Sequence, residues 1–286
     1  MDVLEFYTSQ SEFTDPGGYS KEYEALPENA DEVVGLVRGM MLDFMDRWKH
    51  PIQNERWLET NIRYVDEMLE AIWSINKKAP AILMMHEDDA KMMASPSHFA
   101  SLTVSMLRYL GYPARKRVGF VPSGEFFKEY AIEDCFMSYE IVEFYDKKDG
   151  AWKTLDPAGR GDGFIYASLM YADVRDGKMD PSKLFNDEDN GMNVAIAMLI
   201  QDLCALNKNE IISWDRFGLM KKPLSDYSDD DWSRLDKLAQ LINDNDKDID
   251  ALAKVYADNK DFRVSRVIFC NSPLVPPHEM VTRVVE

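Results

Sequence analysis

Histidine and cysteine are scarce in this chain, with four and three residues in 286. Cys135, Cys204 and Cys270 are odd in number and far apart. That spacing excludes a disulfide framework and a Cys-x-x-Cys metal pair, and it fits a reducing, cytoplasmic location. No run approaches the ~18 apolar residues of a membrane span. The start, MDVLEFYTSQ, lacks the basic-then-apolar pattern of a signal peptide. Positive charge is also short: 33 Lys and Arg stand against 51 Asp and Glu, a net charge of −18. Such a field repels nucleic acid and anionic membrane, so neither is expected as a partner; it suits a basic protein partner or a cationic substrate. There is no internal repeat and no low-complexity segment.

What is present is the material of a globular core, with 45% hydrophobic and 12% aromatic residues. The length suits one large domain or two small ones. We expect three segments: an N-terminal helical layer over 1–80, a core over 81–175, and a C-terminal helical extension over 176–286, packed as one structural unit. Val33, Val34, Leu36, Val37, Met40, Met41, Phe44 and Met45 predict one helix from about residue 30 to Trp48, broken at His50-Pro51. Ile62, Val65, Met68, Leu69, Ile72 and Trp73 predict a second over about 55–76, closed by Lys77-Lys78-Ala79-Pro80. Residues 82–94 read as a linker. Its His86, Glu87 and Asp88, with His98, fit no common zinc spacing, so no metal and no cofactor are expected.

The stretch from Ser95 to Arg115 organises the rest. Ser95 can cap a helix, and Pro96 suits its first position. Phe99, Leu102, Met106 and Tyr109 recur at helical spacing, with Val104, Leu107 and Leu110 widening the apolar face. Gly111 supplies a left-handed stop and Pro113 prevents continuation. A group at the start of such a helix is held rigidly at the positive end of its dipole, a good place for a nucleophile. Strands are predicted over Ala114–Val121, Cys135–Tyr145 and Ala151–Asp156, the last two joined by the turn Asp146–Gly150, with a loop opening at Pro122-Ser123-Gly124. A buried helix followed by antiparallel strands is an α+β core. Beyond it, short and long helices are expected over about 166–174, 192–206, 228–243 and 248–257. A Pro-rich tail packed at first and frayed at its end completes the chain.

Phe99-Ala100, Leu110-Gly111-Tyr112-Pro113-Ala114-Arg115, Glu143-Phe144-Tyr145 and Trp152 to Asp156-Pro157 together resemble the transglutaminase-like superfamily. Asp202-Leu203-Cys204-Ala205-Leu206-Asn207-Lys208 and Glu210-Ile211-Ile212-Ser213-Trp214-Asp215 are similar to the C-terminal part of its longer members. The resemblance covers roughly residues 30–270. It implies a papain-like fold with a Cys at the start of the central helix, a His on the next strand and an Asp on the one after. By the same spacing the Cys position is Pro96 and the His position is Tyr139, and only Asp156 is in place. Proline offers no nucleophile, and a tyrosine of pKa about 10 is a poor general base near pH 7.

The expectation is a degenerate member without cysteine acyl-transfer chemistry. Its former cleft, bounded by Ser97, His98, Tyr139 and Asp156, would bind a peptide, a carrier-bound acyl group or a small molecule. One alternative is an enzyme of altered chemistry, doing acyl transfer, amide or thioester hydrolysis or proton transfer with Tyr139, Asp156 and a Ser or His near the helix start. Another is a structural partner for an active paralogue. Ser95 and Ser97 read rather as helix caps, Cys135 as a small buried hydrophobe, and Trp152 and Trp214 as core, while Asp156 also reads as a turn former. Asn207, Lys208, Glu210 and Asp215 form a polar cluster that capping and salt bridges explain as well as ligand binding does.

Overall fold

The computed structural model describes residues 2–50, 54–77, 81–123, 135–186 and 189–284. The expected helix breaks at Pro51 and at Lys78-Ala79-Pro80, and Gly124 of the expected loop, lie outside the described residues. The chain is α+β and divides into two compact units, one of residues 2–116 and 141–159, the other of residues 117–140 and 160–286. The boundary falls inside two strands, β3 and β4, described below.

In the first unit the elements in chain order are α1 (Val3–Thr8), α2 (Ala30–Met40), β1 (Met41–Asp43), α3 (Val65–Ile75), β2 (Met92–Ala94) and α4 (Pro96–Tyr109). The starts of β3 (Ala114–Pro122), the end of β4 (Phe136–Asp146) and β5 (Ala151–Leu155) complete it. Helix α4 starts and stops where its local chemistry dictates. Pro96 occupies the first turn, and Gly111 lies just past the end with φ of +80°, a conformation only glycine adopts cheaply. Every side chain from Ser97 to Arg108 is buried. Val33, Val37 and Met40 of α2, Met68, Leu69 and Ile72 of α3, and Val142 and Phe144 of β4 share one core with Leu102, Met106 and Leu107 of α4. Each such side chain stabilises the fold by about 1.5–3 kcal/mol on burial. Ser105 and Arg108 of α4 are partnered inside this core, whereas the buried Ser101 Oγ and Thr103 Oγ1 have no hydrogen-bond partner among the described residues. Tyr23 and Ser105 hydrogen bond through their hydroxyls at 2.9 Å, and Arg108 donates to Thr14 Oγ1 at 2.9 Å and to the Ala114 carbonyl at 2.9 Å. Tyr109, expected on the buried face, is 43% exposed and only sets its ring edge-on to Tyr23.

Two expectations about the N-terminal layer are corrected. The helix from residue 30 does not run to Trp48. It ends at Met40, and Met41–Asp43 extends to pair in parallel with Met92–Ala94, inside the segment expected to be a linker. The second helix does not start near residue 55. Asn54–Asn61 is a 3-10 turn whose Glu59 carboxylate accepts the Met93 N–H at 2.8 Å, and the α-helix begins only at Val65.

In the second unit the elements after β3 and β4 are β6 (Ile165–Tyr166), α5 (Ala167–Arg175), β7 (Leu184–Asn186), β8 (Asp189–Asn190) and α6 (Met192–Leu206). They are followed by β9 (Asp215–Arg216), α7 (Asp229–Asn245), α8 (Ile249–Asp258), β10 (Val267–Cys270) and β11 (His278–Val281). Helix α6 is apolar around its circumference, and its residues from Val194 to Leu206 are buried, as a helix through a core must be. α5 and α8 pack on it, and α7 packs on α5. α7 opens with a capping box in which Ser228 and Asp231 bond each other's backbone N–H. β3 pairs antiparallel with β6, whereas β4 pairs in parallel with β7, so the strand pairing is mixed rather than purely antiparallel. The C-terminal segment, expected as a tail packed at first and frayed at its end, contributes β10 and β11 to a three-stranded sheet with β9.

Candidate functional site

The start of α4 is built from Ser95, Pro96, Ser97 and His98. Ser95 precedes the helix in an extended conformation, and its N–H donates to His98 Nδ1 at 3.0 Å. Its Oγ lies 2.8 Å from the same nitrogen. This is a capping box with histidine in the place usually taken by Glu or Gln. A ring nitrogen that accepts a backbone N–H holds no proton, so His98 is a neutral imidazole protonated at Nε2. Its environment agrees. His98 is fully buried, and desolvation, with the Arg63 and Lys116 charges nearby, lowers its pKa to about 3 against weaker opposition from backbone hydrogen bonds of Ile62 and Ser95.

Ser97 points to a different partner. Lys116, from β3, donates its ammonium to Ser97 Oγ at 2.9 Å, and both side chains are fully enclosed. Ser97 and His98 are therefore brought to one helix turn but not to each other. Each is engaged elsewhere, as adjacent helical residues must be. Pro96, where the sequence resemblance leads one to expect a nucleophile, is only partly buried.

Asp156 lies in the same unit, after β5. Its Oδ1 accepts the Gly159 N–H at 2.9 Å, closing a turn in which Gly159 has φ of +83°. Arg38 braces this turn through the Asp156 carbonyl at 2.6 Å and the Pro157 carbonyl at 2.9 Å. Tyr139 belongs to the second unit, where it is buried and its hydroxyl accepts the Arg160 N–H at 2.9 Å.

The residues that carry the sequence resemblance have work in the fold that the sequence did not disclose. Arg115 is enclosed and forks onto Glu143, with Nε at 2.8 Å and Nη2 at 2.7 Å from Oε2. Its guanidinium also stands 4.8 Å from the Trp152 ring and 5.2 Å from the Tyr7 ring. In the second unit, Arg117 bonds Asp202 through Nε at 3.1 Å and Nη2 at 3.0 Å, reaches Asp246 at 2.6 Å and stacks on Tyr166 at 4.4 Å. Asp202 also accepts the Val118 N–H at 2.9 Å. A bidentate arginine–carboxylate pair with both members buried fixes geometry as well as charge. The polar cluster after α6 is used for capping and chain reversal: Asn207 bonds the Leu203 carbonyl at 2.9 Å, Lys208 has φ of +60°, and Asp215 accepts the Ile212 N–H at 3.2 Å.

Among the described residues, no group of three or more His, Cys, Asp and Glu is placed to hold a metal ion. His86 reaches the Ile82 carbonyl at 3.1 Å instead. No described helix is long and apolar enough to cross a membrane. No curated protein and no solved structure matches the chain. The family model of the transglutaminase-like superfamily does match, over residues 49–157, a segment that includes α3, α4, the strands β3 to β5 and Asp156-Pro157. Over that segment the chain is similar to the transglutaminase-like superfamily.

Proposed function

We propose that this chain is a transglutaminase-like protein without cysteine acyl-transfer chemistry, and that it acts by binding a peptide, a carrier-bound acyl group or a small molecule. One observation carries the reading: the helix position that the superfamily's nucleophile would take holds Pro96, with no thiol, and His98 one turn in is a neutral cap. The reaction needs a thiolate, an imidazole to move its proton and a carboxylate to orient the imidazole. Of these the sequence resemblance retains only Asp156, and its Oδ1 accepts the Gly159 N–H. The test is to install the missing pair as Pro96→Cys with Tyr139→His and expose the protein to a thiol-directed acylating probe. Labelling at residue 96 in the double variant, with none in the parent, supports the reading. An unlabelled double variant that remains folded refutes the placement of Pro96 and Tyr139.

A second reading, an enzyme of altered chemistry, is favoured by the contact of Lys116 Nζ with Ser97 Oγ at 2.9 Å. A lysine amine in that position could take the proton of a serine nucleophile. The two atoms are enclosed by protein, which favours a structural hydrogen bond over a reaction centre. Acylation of Ser97, found by intact mass and peptide mapping, would reverse the preference.

A further inference from the structure

The three-stranded sheet of the second unit forms one wall of an open cavity of about 470 Å³. In antiparallel strands, directly opposed residues share a face. Phe269 opposes Arg216 on one side and Glu279 on the other, so the three form a row across β9, β10 and β11. The neighbouring row on the opposite face includes Asp215 and Cys270, both fully buried. The Arg216–Phe269–Glu279 row lines the cavity.

The charges along this row differ in one respect. Arg216 is engaged at all three nitrogens: its Nε and Nη2 lie 3.2 and 2.7 Å from Asp189 Oδ2, and its Nη1 lies 2.7 and 3.0 Å from the Ser213 and Asp215 carbonyls. It is a fixed part of the wall. Lys221 also lines the cavity, with Nζ 5.7 Å from the Phe269 ring centroid. Among the described residues, neither the Lys221 ammonium nor the Glu279 carboxylate has an ion pair or hydrogen bond. The cavity lining thus includes an aromatic ring, Met220, one unmatched cation and one unmatched anion. Its volume suits a small molecule.

We propose that this cavity binds a small zwitterion with an apolar side chain, the chemistry of a free α-amino acid. The ligand's carboxylate meets Lys221, its ammonium meets Glu279, and its apolar body covers Phe269 and Met220. A ligand of single charge leaves one of the two protein charges unmatched. The proposal rests on the reading of the chain as a binding protein and names its ligand class. The test is calorimetric titration of the full chain with L-phenylalanine, 3-phenylpropionate and 2-phenylethylamine, in the parent and in the surface variants Lys221→Gln and Glu279→Gln. L-phenylalanine is expected to bind at one site, and each singly charged analogue about two- to fivefold more weakly, the range of a solvent-exposed ion pair. Lys221→Gln should remove the advantage over the amine, and Glu279→Gln the advantage over the carboxylate. Absence of saturable binding, equal binding of all three compounds, or unchanged affinities in both variants would overturn the site. Failure of this site is distinguishable from failure of the non-catalytic reading. A chain that ignores L-phenylalanine but takes no acyl group loses only the site, and one that binds L-phenylalanine and is acylated loses only that reading.

Discussion

His98 offers a prediction whose size follows from its surroundings. The ring is buried and neutral, with its pKa lowered to about 3, whereas the unfolded chain leaves it at its ordinary value of 6.5. Between these values the unfolded state binds a proton that the folded state does not, so stability contributed by this residue is complete above pH 6.5 and is lost as pH falls toward 3. Linkage gives a loss of about 1.4 kcal/mol at pH 5.5 and about 2.7 kcal/mol at pH 4.5, relative to pH 8. Other groups titrate over the same range, so the informative quantity is the difference from a variant that keeps the cap but cannot titrate. His98→Gln is such a variant, because Ser-x-x-Gln forms the same reciprocal cap on Ser95. Urea denaturation of both proteins at pH 8, 6.5, 5.5 and 4.5 should show His98→Gln gaining on the parent by those amounts as pH falls. His98→Ala should in addition be less stable than His98→Gln at every pH, by about 1 kcal/mol or more, from the lost cap. A stability difference between parent and His98→Gln that stays flat from pH 8 to 4.5 would refute the assignment of His98 as a buried neutral cap.

Two further outcomes concern the scaffold. Glu143→Ala strands the enclosed Arg115 guanidinium and should cost about 3–5 kcal/mol in urea denaturation, with Glu143→Gln, which keeps an acceptor, costing less. Gly119→Ala would set a Cβ 2.2 Å from the Ile165 carbonyl oxygen and 2.6 Å from the Phe164 ring, so it should destabilise by about 1–3 kcal/mol and speed amide exchange in β6. Unchanged exchange there would mean that β3 and β6 do not pair as described.

The parts of the fold that were legible in the sequence are those set by neighbouring residues. Ser95, Pro96 and Gly111 mark the ends of α4, and Ser228 marks the start of α7, because caps and stops act within one turn. Met41–Asp43 was not legible. Two apolar residues and an aspartate continue a helical period as easily as they form a strand, and the partner that decides the matter, Met92–Ala94, lies far along the chain. The same holds for β10 and β11, whose Pro-rich connection reads as a loose tail until β9 is seen to pair with β10. Pro96 and Asp156 could be located by spacing, and the turn made by Asp156 was foreseen as one reading. The row Arg115-Lys116-Arg117 could not be interpreted from pattern, since three successive cations suggest a wet strand. All three are enclosed, because Glu143, Ser97 and Asp202 come to them from other elements. Periodicity records which residues alternate, but it does not record which distant group will answer a buried charge.

The central claim, that the chain performs no acyl transfer, is tested most directly by intact mass spectrometry of the parent protein after exposure to thioesters and activated amides. The account predicts an unchanged mass in the parent under conditions that acylate the Pro96→Cys, Tyr139→His variant. A stoichiometric acyl adduct mapped to Ser97 or Ser95 of the parent, and abolished by the matching serine-to-alanine change, would contradict it.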